Sequence, residues 1–147
     1  MKYFYKIKSV LIIILVLTFH SCTETNEKHI GEWEGESKGE VGSLILDQTN
    51  HAVFVIGNQV IGGENFVLQD GVKGECKYEI DYSKNPICLD IVIYEQGVTE
   101  EKGRLKGIVR FVTDNKIEYR VGFDGNRFDK FNHEDTENSI VLDRLIN

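Results

Sequence analysis

The chain has 147 residues, with 24 acidic against 17 basic, a formal charge of −7, and 41% apolar side chains with a single proline. That composition suits an ordered globule rather than a disordered tether. Its acidity repels phosphate backbones, so nucleic acid is not an expected partner.

The first segment reads as an address rather than as fold. Lys2, Lys6 and Lys8 make a basic region, residues 10–19 an apolar run, and Ser21 a small residue ahead of Cys22. A permanent bilayer span needs roughly 20 apolar residues, so a run about half that long is the core of an export signal. All acidic residues lie beyond Cys22 and three lysines precede it. Removal of residues 1–21 therefore leaves 14 basic residues and a net charge of −10.

The segment Phe19-His20-Ser21-Cys22 resembles a bacterial lipobox. The resemblance implies a diacylated Cys22 and a protein anchored to a bacterial membrane, facing the periplasm or the cell surface. Two or three acyl chains hold such an anchor stably, whereas one binds only marginally. Residues 22–28 are polar and are expected to form a flexible tether. Residues 29–147 then suffice for one domain.

Within that domain the hydrophobic period is two. The predicted strands are 29–38, 42–47, 51–56, 59–61, 65–69, 76–82, 87–94, 103–113, 117–123 and 139–146. The alternation is clearest where Cys76, Tyr78, Ile80 and Tyr82 interleave with charged residues, and where Ile117, Tyr119, Val121 and Phe123 do so. Turn chemistry separates the strands, as at Gly57-Asn58, Asp70-Gly71, Ser83-Lys84-Asn85-Pro86 and Asp124-Gly125-Asn126. No segment carries a helical stripe, and residues 132–138 are the best candidate for a loop. Eight to ten short strands joined by tight turns predict an all-β fold, a small antiparallel up-and-down β-barrel, since closure removes exposed edges.

Two motifs carry a further resemblance. Ile30-Gly31-Glu32-Trp33 looks like the Gly-x-Trp signature that opens lipocalin-like barrels, and Ser139-Ile140-Val141-Leu142-Asp143-Arg144-Leu145 looks like their closing strand. The order of segments from Lys84-Asn85-Pro86-Ile87 to Arg127-Phe128-Asp129-Lys130-Phe131 is similar to an uncharacterised family of bacterial lipocalin-like domains. The resemblance implies that Arg144 covers Trp33 and closes one end of the barrel. Such a stack is worth roughly 0.5–2 kcal/mol, depending on desolvation.

The register of one hairpin bears on the cysteines. With residues 83–86 as the loop, Tyr82 faces Ile87, so Cys76 faces Ile93 and Cys88 faces Asp81. The two thiols then lie about five residues apart along the ladder and on opposite faces, beyond disulfide reach at roughly 3.3 Å per residue. Two free thiols are expected, with Cys76 inside.

Metal and catalytic signals are poor. His29, His51 and His133 lack ligand spacing, and Glu32, Glu34 and Glu36 read as a solvent-facing stripe opposite Trp33. No nucleophile elbow or defined carboxylate pair stands out. No enzyme, metal or cofactor is expected.

Two functions stay open. A lipid-anchored binding module would take a small apolar or amphipathic ligand in its lumen, lined by Tyr78, Tyr119 and Phe123, which share parity with the most apolar strand positions. Alternatively the barrel is filled, and its acidic surface or loops recognise another envelope protein in an inhibitor or immunity-type role. Interior volume discriminates: a connected cavity of at least ~300 Å³ favours the ligand.

Overall fold

A computed structural model describes residues 27–37 and 39–146. The predicted export signal, Cys22 and most of the tether lie outside them. Among the described residues there is no helix, and ten strands follow in order: β1 (Gly31–Ser37), β2 (Glu40–Leu46), β3 (Ala52–Ile56), β4 (Gln59–Gly62), β5 (Phe66–Val67), β6 (Lys73–Asp81), β7 (Ile87–Glu95), β8 (Glu101–Thr113), β9 (Lys116–Gly122) and β10 (Ser139–Arg144).

They form one antiparallel sheet in the order β4-β3-β2-β1-β10-β9-β8-β7-β6-β5. All neighbours but one are sequential hairpins. The exception joins β1 to β10, which brings the first and last strands together. The fold is therefore an up-and-down β-barrel, as the period-two pattern predicts.

The barrel closes where β6 meets the β3–β4 hairpin. The Tyr78 amide donates to the Asn50 carbonyl at 2.9 Å and the Cys76 amide to the Gly63 carbonyl at 2.8 Å, around a bridge between His51 and Lys77. Gly62 makes this approach possible. Its φ of 104° disfavours other residues, and a Cβ there would stand 2.5 Å from the Ala52 carbonyl oxygen.

Several predicted strands are trimmed at an end. The segment 65–69 keeps only the two-residue β5. β9 stops at Gly122 because the chain turns back there. The Asn126 amide caps the Asp124 carboxylate at 3.0 Å, and a Cβ on Gly122 would collide with the Asn126 carbonyl.

Trp33, Leu46, Leu89, Ile91 and Ile117 are fully buried inside. Tyr119 is buried in the core and lies against the inner wall. From β9 its ring passes over β8, and its hydroxyl donates to the Leu89 carbonyl on β7 at 3.3 Å. The intervening residue is Gly107, whose absent Cβ leaves room for that ring and hydroxyl.

The outside of β7–β9 is covered as well. Val92 and Ile108 belong to the outward set yet are 0% and 1% exposed. Residues 123–138 run across this face. Arg120 clamps them, donating to the Lys130 carbonyl and the Asp135 carboxylate at 2.6 Å each, with Phe128 stacked 3.7 Å from its guanidinium. Arg110 lies 4.5 Å from the Phe131 ring. Charged residues on the outer side of β9 are thus buried by a strap of irregular chain.

Gly107→Ala should drive its methyl into the Tyr119 ring. The expected loss is about 1–3 kcal/mol, read as a lower denaturant midpoint at unchanged m-value.

Candidate binding site at the barrel mouth

The two ends of the barrel differ in chemistry. At one end, β1 and β10 set Trp33 opposite Arg144, and the guanidinium carbon lies 4.0 Å from the indole ring. Arg144 also donates to the carbonyls of Ile30 and Lys28, both at 2.6 Å. Gly31 explains the first residue of the Gly-x-Trp motif. Its φ is 143°, and a Cβ would stand 2.5 Å from Nη1 of Arg144. The indole Nε1–H donates to the His29 carbonyl at 2.8 Å, so the plug has hydrogen-bond partners on both aromatic and cation.

Beneath the plug lies a polar cluster. His29 is 8% exposed. Its Nε2 is 3.0 Å from the Tyr78 hydroxyl, its Nδ1 2.8 Å from the Tyr82 hydroxyl, and Tyr78 donates to the Asp47 carbonyl at 2.7 Å. Because Tyr78 spends its proton on Asp47, it accepts from Nε2–H, and Nδ1 of a neutral ring accepts from Tyr82. Burial pushes the Tyr78 hydroxyl up to about 12, so it remains a donor. Sequence separations of 49 and 53 hide these contacts, which only the barrel register creates.

The other end holds the recess. Leu44, Phe54, Tyr119, Val121, Ile140 and Leu142, drawn from β2, β3, β9 and β10, line a cavity of about 180 Å³. Its side walls are apolar throughout. The Tyr119 hydroxyl points away to Leu89, and burial raises its pKa far above the ordinary value, so no titratable group serves the recess.

The three expected lining residues therefore separate. Tyr119 lines the recess. Tyr78 faces the interior, but its hydroxyl belongs to the His29 cluster at the closed end. Phe123 is a correction: it stands in the turn after β9 and is 68% exposed, because the chain reverses at Gly122 and ends the strand's alternation.

Both described cysteines are free, with Cys76 opposite Ile93 and Cys88 opposite Asp81, the register read from the hairpin loop. Burial pushes the Cys76 thiol up to about 11, which leaves it protonated and unreactive.

Charged partnerships on the outer surface are structural braces. Asp90, 5% exposed on β7, receives both terminal nitrogens of Arg127 at 2.6 and 2.8 Å and Nη1 of Arg104 at 3.0 Å. Burial alone would raise its pKa, but these guanidinium bonds prevail and hold the carboxyl below its usual range. His51 lies 2.9 Å from Glu75 and 2.7 Å from Thr49, and His133 sits 3.3 Å from Arg110. Each histidine thus has polar company that sequence spacing conceals. Among the described residues, no three His, Cys, Asp or Glu side chains converge as metal ligands would. Glu34 and Glu36 are exposed beside half-buried Glu32, and Glu34 faces Asp143 across β10.

Comparison with known proteins adds no relative: no family model matches the chain, nor does any curated protein or solved structure.

A depressed Asp90 stabilises the fold above its unfolded pKa of roughly 3.9, and that contribution disappears as pH falls through the lower folded value. Asp90→Asn should melt well below wild type at pH 7. The gap should narrow steadily below about pH 4, as followed by thermal melts across an acid series.

Proposed function

We propose that this protein is a lipid-anchored, non-enzymatic binding module of the bacterial cell envelope, a lipocalin-like barrel that accepts a small apolar group at its mouth. The observation that carries this reading is the wholly apolar recess of about 180 Å³ between β2, β3, β9 and β10. An apolar cavity of about 150 Å³ stays dry and admits a ring the size of benzene. One ring or a short alkyl segment therefore fits, while the remainder of an amphipathic ligand projects past the rim.

The orientation supports the same function. The chain enters at the Trp33 end, where the Lys28 carbonyl meets Arg144. The anchor at Cys22 would therefore join the domain at the end opposite the mouth, which leaves the mouth unobstructed by the tether.

A second reading is favoured by a specific observation. Tyr119 forms part of the wall of the recess, which falls short of the ~300 Å³ usual for whole small-molecule ligands. A partner protein that inserts one apolar side chain would satisfy the same space, in an envelope interaction or inhibitor role.

Two outcomes test these proposals. Val121→Phe should fill the recess and abolish binding of a fluorescent short-chain fatty-acid probe while the thermal transition stays cooperative. Unchanged probe binding rules out the recess as the site. Cys22→Ala should move the protein from the membrane to the soluble fraction or leave it unprocessed. Normal processing with membrane retention defeats the lipid anchor.

A further inference from the structure

We propose that the apolar recess selects a cationic amphiphile, a short alkyl or aryl group that carries an ammonium head beside Glu40. The inference rests on the recess being a binding site, and it adds which head group that site prefers. Apolar walls leave the choice to the rim. Leu44 and Gly42 line the recess from β2, and Glu40 continues the same inward parity. At about 3.4 Å per residue, its Cα stands roughly 7 Å beyond that of Gly42 towards the open end. Ile56, 46% exposed, forms the lip. It lines the recess and also, with Glu40, Asn58 and Gln59, an open groove outside it. A ligand seated against Val121 and Ile140 therefore passes Ile56 and places its head group in the groove that Glu40 lines.

Glu40 is uncompensated. It is exposed, and its carboxylate has no hydrogen bond or ion pair among the described residues. Several other carboxylates at this end are engaged: Glu95 by Lys102 at 3.0 Å, Glu101 by Arg104 at 2.7 Å and Asp124 by the Asn126 amide at 3.0 Å. Bases that would mask Glu40 are committed or remote. Lys102 is held by Glu95 and Arg120 by Asp135 at 2.6 Å. Lys73 and Lys106 stand on β6 and β8, which supply no wall to the recess. Lys38, outside the described residues, is the nearest base in sequence and is varied below.

Sign decides the ligand. The side-chain amides of Asn58 and Gln59 both donate and accept, so they serve a hydroxyl, a carboxylate or an ammonium alike. The Glu40 carboxylate only accepts. It attracts an ammonium, tolerates a hydroxyl and repels a carboxylate. The surrounding field has the same sign, since the chain from Cys22 onward carries 24 acidic against 14 basic residues. A cleft lined by one sign of charge concentrates ions of the other. The head group stays hydrated in the groove while the apolar group enters the recess, so no charge is buried. One exposed pair of this kind gives roughly threefold in affinity, and reversal of the ligand's sign roughly tenfold. A fatty acid is therefore the weaker ligand of this site.

Hexylamine, hexanol and hexanoate share one tail and differ at neutral pH in head-group charge. Each is titrated into the full chain, with the backbone amide shifts of Leu44, Val121 and Ile140 reporting occupancy of the recess. Hexylamine is expected to bind about threefold tighter than hexanol and about tenfold tighter than hexanoate. Glu40→Gln should bring hexylamine down to the level of hexanol and leave hexanol unchanged, and Glu40→Lys should make hexanoate the tightest of the three. Lys38→Gln and Glu100→Gln, the latter in the β7–β8 turn, should keep the wild-type order. Equal affinity for all three ligands, with the recess shifts intact, overturns the cation preference and leaves the recess as the site. A preference that Glu100→Gln removes as fully as Glu40→Gln also overturns it, because it then belongs to net charge. No shift at the recess with any ligand overturns both readings.

Discussion

Arg144 resting on Trp33 is the contact on which the rest of this barrel depends. It joins the first strand to the last, and every other strand pair in the sheet is a local hairpin. Without it the seam between β1 and β10 is left with an uncovered indole. The guanidinium does more than cover a ring. It also occupies the carbonyls of Lys28 and Ile30, which would otherwise end in an unpaired strand start. Gly31 is the necessary companion, since any side chain there would occupy the space of the guanidinium.

The interior is organised by a second glycine and aromatic pair. Gly107 lets the Tyr119 ring lie over β8 and reach β7, and the same ring forms part of the wall of the apolar recess. At the closed end the hydroxyls of Tyr78 and Tyr82 meet His29, and at the other end apolar side chains line the recess.

Much of this architecture was legible in the sequence, for a physical reason. Antiparallel hairpins are local, so turn residues and alternation fix both the strands and their register, and the Ser83-to-Pro86 loop alone places Cys76 opposite Ile93. Period two says which side a residue takes, but not what lies on the other side. Val92 and Ile108 take the outward side and are nonetheless buried, because a strap 15 to 37 residues away in sequence is tied to that wall by ion pairs. Phe123 fails for the opposite reason: alternation continues in the letters beyond Gly122, but the backbone has already turned. The His29 cluster depends on strands brought together only by closure, and no local signal marks it.

The pairing of β1 with β10 also has a consequence for synthesis. Residues 33 and 144 must both be present before the sheet can join its ends, so this contact spans almost the whole domain. Local hairpins such as β6–β7 can form as soon as their turns are made, whereas the join awaits the C-terminal strand. A chain still emerging from the ribosome therefore has its β1 edge open and its tryptophan exposed. A stop a few residues early would leave it so permanently. The final strand acts as the lock of the fold, and quality control that recognises unpaired strand edges would discard every chain that lacks it.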